Sequence, residues 1–200
     1  MVKVVLFDVG GVIINFTESA IGKTLKDLGL TGAQIDWVWD ELIDPKFGTG
    51  KISEDRFWET LRERFNIRAV WANNDLLATS FREVVRVNEE VISIAKNLKT
   101  NEELRIGILS DTIEPHARVL RGMGVYDPFD PVFLSHEIGR RKADPEAFCH
   151  AVQQLKVLPG EIIFVDDLPE NIAQAQRLGM ETVLFQSSTQ LENEIYATLK

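Results

Sequence analysis

Two hundred residues, 44% of them hydrophobic and 26% charged, suffice to bury a large core as one domain or one domain with an insertion, which excludes a fibrous or disordered chain. The formal charge of −9 opposes phosphate backbones and anionic lipid, so neither nucleic acid nor a membrane is an expected partner, and no apolar run reaches membrane-span length. The single cysteine, Cys149, excludes an internal disulfide, and the opening residues lack a secretory apolar region with a cleavage site, so a cytoplasmic location is expected.

The opening run Val2-Lys3-Val4-Val5-Leu6-Phe7-Asp8-Val9-Gly10-Gly11-Val12 reads as a buried strand of a parallel sheet. It delivers Asp8 at its C-terminal edge, where open α/β sheets bind ligands. Gly10-Gly11 permits a tight turn and a close approach of a ligand to the backbone. Over residues 17–86 no period-2 strand is expected. Apolar residues instead recur at three and four in four segments: Ile21, Leu25 and Leu28; Ile35, Val38, Trp39, Leu42 and Ile43; Trp58, Leu61 and Phe65; Leu77, Phe81, Val84 and Val85. Gly29, Gly48-Thr49-Gly50 and Asn73-Asn74 punctuate them, and Ser53 is placed to cap the third. This predicts a small helical bundle inserted after the first strand. All four tryptophans, Trp37, Trp39, Trp58 and Trp71, fall inside it; most are expected in the bundle core, with about one facing a pocket.

Asn88-Glu89-Glu90 is a good helix start, with Val91, Ile92, Ala95 and Leu98 on one face. Strands and helices then alternate: strand 104–110, helix 115–123, strand 131–135, helix 145–156, strand 162–166, helix 169–178, strand 182–185, helix 189–199. Gly124 and Gly179 stand just past helix ends, and Pro115, Pro145 and Pro169 at helix starts. This βαβ pattern predicts a doubly wound α/β fold with a Rossmann-like five-stranded parallel sheet, built from residues 1–14 and 87–200, and a helical-bundle insertion at 15–86.

Right-handed crossovers bring the C-terminal ends of parallel strands to one rim. Asp8, Ser110-Asp111, Asp166-Asp167 and the stretch Gly139-Arg140-Arg141-Lys142-Ala143-Asp144-Pro145 are expected to meet there. Carboxylates from two strands, a hydroxyl and a lysine suit metal-assisted chemistry on an anion. Crowded carboxylates repel unless a cation fills the cluster, and Mg²⁺ fits, since it prefers oxygen ligands and accepts a phosphate oxygen as a further one. Neither Cys nor His occupies these positions, which argues against zinc. An aspartate can then attack phosphorus and form an acyl phosphate that water cleaves. Ser110 is placed to donate to a phosphoryl oxygen, Lys142 to balance its charge, and the backbone N–H groups of the turn at 9–11 to contribute.

In this order and spacing the four stretches resemble the motifs of the haloacid dehalogenase (HAD) superfamily of Mg²⁺-dependent phosphohydrolases, and the likeness covers essentially the whole chain. The resemblance implies Asp8 as nucleophile and the Gly10 carbonyl as a ligand of Mg²⁺. It implies Ser110 and Lys142 at the phosphoryl group, with Asp111 and Gly11 beside the substrate. The Asp166-Asp167 pair would complete the metal site, Asp167 being favoured over Asp166 as the direct ligand. The insertion resembles the small C1 cap of subfamily I, and Phe47-Gly48-Thr49-Gly50-Lys51-Ile52-Ser53 through Phe57-Trp58 is similar to caps of bacterial sugar-phosphate phosphatases. A small phosphorylated metabolite is therefore the expected substrate, and a monomer or homodimer the expected state.

One departure matters. Phosphatases of the superfamily commonly carry a second aspartate, a general acid and base, where this chain has Gly10. Losing such a group costs about 10²–10⁴ in rate. Some relatives resembling glucose-1-phosphatases also show glycine there, which keeps the phosphatase reading first. A catalytically weak or inactive phosphometabolite-binding protein is the alternative. A dehalogenase or phosphonatase is the third, although those branches carry tyrosine or alanine at this position; phosphonatase chemistry would need an amine such as Lys46 or Lys51. His116, about one turn past Ser110, is a candidate source of the missing proton. Plainer roles stand beside these: helix caps for Asp167 and Asp111-Thr112, a solvated run for Arg140-Arg141-Lys142, and surface or packing positions for Cys149, His136 and His150.

Overall fold

The computed structural model of the protein describes residues 1–67 and 75–199, so Trp71 and Asn73-Asn74 lie outside the described residues. Val4–Phe7, uniformly apolar, form strand β1, buried along its whole length. The chain turns through Gly11 into β2 (Ile14–Phe16) and runs through α1 (Ala20–Asp27), α2 (Gly32–Val38), a π-helix (Trp39–Phe47), α3 (Glu54–Phe65) and α4 (Leu76–Val84). It returns in β3 (Val85–Val87), which pairs antiparallel with β2. Then follow α5 (Glu89–Leu98), β4 (Arg105–Ser110), α6 (Glu114–Gly122), β5 (Val132–Leu134), the short α7 (Ser135–Ile138), α8 (Pro145–Leu155), β6 (Ile162–Asp166), α9 (Pro169–Arg177), β7 (Glu181–Leu184) and α10 (Ser188–Thr198).

The sheet is five-stranded and parallel in the order β5-β4-β1-β6-β7. β1 is central, registered on β4 from Val4↔Arg105 to Phe7↔Ile108 and on β6 from Val4↔Ile162 to Phe7↔Val165. Alternate side chains feed opposite layers. Val5 and Phe7 join Ala95 of α5, Leu120 of α6 and Ile195 of α10. Val4 and Leu6 join Phe148 of α8 and Ala175 of α9. Helices on both faces make the sheet doubly wound, as the alternation predicts.

Local chemistry sets the helix ends. The Asn88 and Asp144 side chains accept from the backbone N–H groups of Val91 and Glu146 at 3.4 and 2.9 Å. Pro115, Pro145 and Pro169 lie in first turns, and Gly124 and Gly179 adopt positive φ just past α6 and α9. Ser53 caps α3 by accepting from Arg56 N at 3.3 Å.

The insertion has its own apolar cluster, in which Leu25, Val38, Phe57 and Leu61 pack together and Ile113, from just before α6, closes one side. Several details differ from the sequence reading, among them β2 and the short α7, which takes Ser135 from the strand expected at 131–135. The segment at 35–43 is not one α-helix: it passes at Trp39 into i→i+5 bonding, as in the 2.6 Å bond from Gly48 N to the Ile43 carbonyl. The wider turn lets Trp39, Ile43 and Gly48 face the same way. Residues 85–87 form a strand where none was expected, because three residues give no legible period and the partner lies some seventy positions away. Of the described tryptophans, Trp58 is buried against Phe57, Trp37 packs on Phe65, and Trp39 faces a cavity.

Candidate active site

The register places the ends of β1, β4 and β6 side by side, so Asp8, Ser110 and Asp166 share one rim, all buried. Lys142 arrives from another direction. After α7 the chain turns at Gly139, and Asp111 anchors the next loop by accepting from Lys142 N at 3.0 Å and Arg141 Nε at 3.2 Å. The Lys142 side chain then enters the rim, 3% exposed, donating from Nζ to Asp8 Oδ1 at 2.7 Å and to Asp166 Oδ2 at 2.6 Å. Arg141 also pairs with Asp44 of the π-helix, joining the insertion to the rim.

Asp166 has both oxygens engaged. Besides Lys142, it accepts from Leu168 N at 2.9 Å and from Asn171 Nδ2 at 3.0 and 3.1 Å. Asp167 is less buried and lies against the first turn of the chain. A methyl built on Gly11, whose φ is +78°, would sit 2.1 Å from Asp167 Oδ2. Gly11 therefore admits the carboxylate, as close approach at this turn requires. Gly10 does not share this constraint: its Cβ would meet only Phe16, at 3.6 Å, an ordinary contact.

One oxygen each from Asp8, Asp166 and Asp167 lies within 4.8 Å of the others. Burial, opposed by Lys142 and aided by Asp166, pushes the Asp8 carboxyl up to about 6. Burial and then Asp166 also push Asp167 upward. Burial works against the Lys142 ammonium, but Asp8, Asp166 and Asp111 outweigh it and hold its pKa above the usual lysine value. Three carboxylates against one ammonium leave a formal surplus of two negative charges, 3 − 1, which a divalent cation balances. The donors are all hard oxygens, and the Gly11 turn leaves the Asp167 carboxylate room, so the residues fit Mg²⁺.

Several plainer roles give way to the geometry. Asp167 does not cap α9; the carboxylate accepting from Leu168 N belongs to Asp166. Asp111 and Thr112 do not cap α6, whose N-cap is Ile113. Lys142 is not solvated, although Arg140 beside it pairs on the surface with Glu146 at 2.7 Å. His116 lines the cavity beside Gly10 and Ser110 but stacks on Phe81 with centroids 4.0 Å apart. Burial pushes its pKa down to about 3, so it stays neutral and is a poor proton donor. His150 packs edge-on to Phe133, and Cys149 is partly buried on α8. The sequence reading missed Asn171, which steadies Asp166, and Arg141, which ties Asp44 to Asp111. An amide in the first turn after an acidic pair was the available signal for Asn171.

Beside the rim lies a cavity of about 270 Å³, with Gly10, Ser110 and Asp111 on the sheet side and Trp39, Ile43 and Gly48 on the insertion side.

The family profile of haloacid dehalogenase-like hydrolases matches residues 2–179. The chain belongs to that family. It is 31% identical over 185 residues to the sesquiterpene phosphatase astK of Aspergillus oryzae, covering 89% of this chain and 87% of that one. It is 26% identical over 192 residues to the D-ribitol-5-phosphate phosphatase of Bacteroides thetaiotaomicron, covering 91% of each. The drimenol cyclase drtB of Aspergillus calidoustus is 28% identical over 98% of this chain, which spans only 36% of that longer protein. The fold is shared with the HAD family enzyme bt-2542 of Bacteroides thetaiotaomicron, solved with magnesium and inorganic phosphate. That match has a TM-score of 0.78 at 24% identity and covers 93% of this chain and 95% of that one. This chain is thus a HAD-like hydrolase whose named full-length relatives are phosphatases. Among its described residues no helix is long and apolar enough to cross a membrane.

Proposed function

We propose that this protein hydrolyses a phosphomonoester of a small metabolite, with Mg²⁺ held by Asp8, Asp167 and the Gly10 carbonyl. The observation that carries the reading is the buried Asp8–Lys142–Asp166 chain at 2.7 and 2.6 Å, next to a cavity that Gly10, Ser110 and Asp111 line, in a chain of this family. When bound, Mg²⁺ supplies a positive charge that draws electrons from the phosphoryl group. Asp8 attacks phosphorus, its carboxylate forming an acyl phosphate as the bond from phosphorus to the ester oxygen breaks. The leaving oxygen takes a proton from water, since Gly10 offers none. A second water then attacks phosphorus, freeing phosphate and restoring the Asp8 carboxylate. Lys142 holds Asp8 in place and balances charge at the phosphoryl oxygens, towards which Ser110 Oγ donates; the Gly11 N–H is taken by the Ile14 carbonyl at 2.8 Å. Asp166 positions Lys142, while residues 15–86 act as a cap that keeps bulk water away.

Phosphate release from p-nitrophenyl phosphate, with and without Mg²⁺, tests this. Turnover should need Mg²⁺ and vanish in Asp8→Asn; turnover that survives Asp8→Asn refutes the covalent route. Gly10 and the neutral His116 favour one second reading, a binder that holds phosphorylated ligands without turnover. An inert wild type that gains activity in Gly10→Asp would establish it.

A further inference from the structure

The two named phosphatase relatives take chemically opposite alcohols, so the choice must be read from this chain's own cavity. We infer that the half of the substrate beyond the phosphoryl group is a bulky hydrocarbon, alkyl or aryl, and not a polyol; this rests on the phosphatase reading above. The wall facing that half is built from Ile14, Phe16, Ile21, Trp39, Ile43 and Phe81. Most of the polar side chains around it already have partners. Arg141 pairs with both Asp44 and Asp111. Ser19 Oγ accepts from Gly22 N at 3.1 Å to cap α1, and Thr112 Oγ1 donates to the Ile113 carbonyl at 3.4 Å. Among the described residues lining the cavity, His116 Nε2 alone is buried without a hydrogen-bond partner. A sugar or polyol would have several hydroxyls to satisfy against a wall that is mostly hydrocarbon, where His116 Nε2 is the one buried side-chain polar atom of the described lining residues still unpaired. Each hydroxyl stripped of water without a partner weakens binding, whereas each methylene placed there strengthens it by up to about fourfold. Phe16 supports the assignment: this aromatic ring is 46% exposed yet lines the cavity, placed for an apolar ligand to cover.

The test compares kcat/KM in Mg²⁺ for ethyl, butyl and octyl phosphate with that for glycerol phosphate and a hexitol phosphate. In parallel, calorimetry measures binding of methylphosphonate and octylphosphonate, which the enzyme does not hydrolyse. The expected result is a rise of at least about 100-fold in kcat/KM from ethyl to octyl, carried mainly by KM, with both polyol esters below butyl. Octylphosphonate should bind correspondingly tighter than methylphosphonate, and Phe16→Ser should shrink the octyl advantage about tenfold in both assays. Polyol phosphates outperforming octyl phosphate would overturn the inference while leaving the phosphatase standing. Absence of phosphate release from every ester would sink the phosphatase reading alone, because the phosphonate pair still decides the inference: equal affinities overturn it, and a strong octyl preference upholds it.

Discussion

Two adjacent glycines should respond in opposite ways to the same methyl group. In Gly11→Ala the new Cβ would stand 2.1 Å from Asp167 Oδ2 and 2.4 Å from its Cγ, well inside the 3.0 Å that such contacts essentially never breach, so the carboxylate or the turn must move by about 1 Å. The left-handed φ of +78° adds about 1–2 kcal/mol for any L side chain. A total loss of about 1–3 kcal/mol corresponds to about 2–12 °C in Tm for a chain of this length. The larger effect falls on the metal. Disturbing a ligand's position typically costs about 10–100-fold in metal affinity. Mg²⁺ at about 100 times the wild-type Kd stabilises the native state by about 2.7 kcal/mol, and Gly11→Ala should lose about 1.3–2.3 kcal/mol of that gain. In Gly10→Ala the Cβ meets only Phe16 at 3.6 Å with no positive φ to resist it, so Tm should stay within about 2 °C and Mg²⁺ affinity should be unchanged. Thermal unfolding with and without Mg²⁺, beside calorimetric titration, reads both variants. If Gly11→Ala binds Mg²⁺ like the wild type, or Gly10→Ala proves the more harmful, the placement of Asp167 against the turn is wrong.

Two further outcomes follow from buried charge. Lys142→Met leaves Asp8 and Asp166 facing each other without the ammonium between them, so the metal-free protein should lose about 3–5 kcal/mol, part of which added Mg²⁺ restores; equal urea midpoints for variant and wild type without divalent cations would contradict this. His116 is held neutral down to about 3 by burial, so below about 6.5 the unfolded chain takes up a proton that the native state refuses. Stability falls with pH through that window at up to about 1.4 kcal/mol per unit. His116→Phe, which keeps a ring on Phe81, should remove this component, sparing about 2 kcal/mol of the loss between pH 6.5 and 5. Parallel stability–pH curves for the two proteins would show that His116 is not desolvated.

The core half of the fold was legible because its signals are local and mutually consistent: apolar runs of strand length, proline in first turns, glycine at helix exits. The rim followed from topology, since parallel strands with one handedness of crossover can end only on one side. The parts that stayed hidden depend on partners remote in sequence. Strands β2 and β3 are too short to show a period and find each other only in space. The π-helix shares its apolar residues with an ordinary helix, and only the i→i+5 bonds separate the two. Gly10 and Gly11 look equivalent in the sequence, yet only Gly11 has a carboxylate pressed against it. Sequence spacing likewise could not say that Asp166 would be saturated by Lys142, Leu168 and Asn171 while Asp167 is not. Nor could it say that Arg141 would reach Asp44, almost a hundred residues upstream.

The placement of β1 also governs how the molecule comes into being. Its two neighbours in the sheet begin at Arg105 and Ile162, so in a chain emerging from the ribosome this wholly apolar strand can pair on one side once β4 is made but keeps its other edge open until β6 follows. The helices between β2 and β3 rely on nearer contacts and can consolidate meanwhile. Nascent chains halted before residue 162 should therefore be aggregation-prone and protease-sensitive at their start while already protected over residues 20–65, and the nucleophile's surroundings should be among the last to mature.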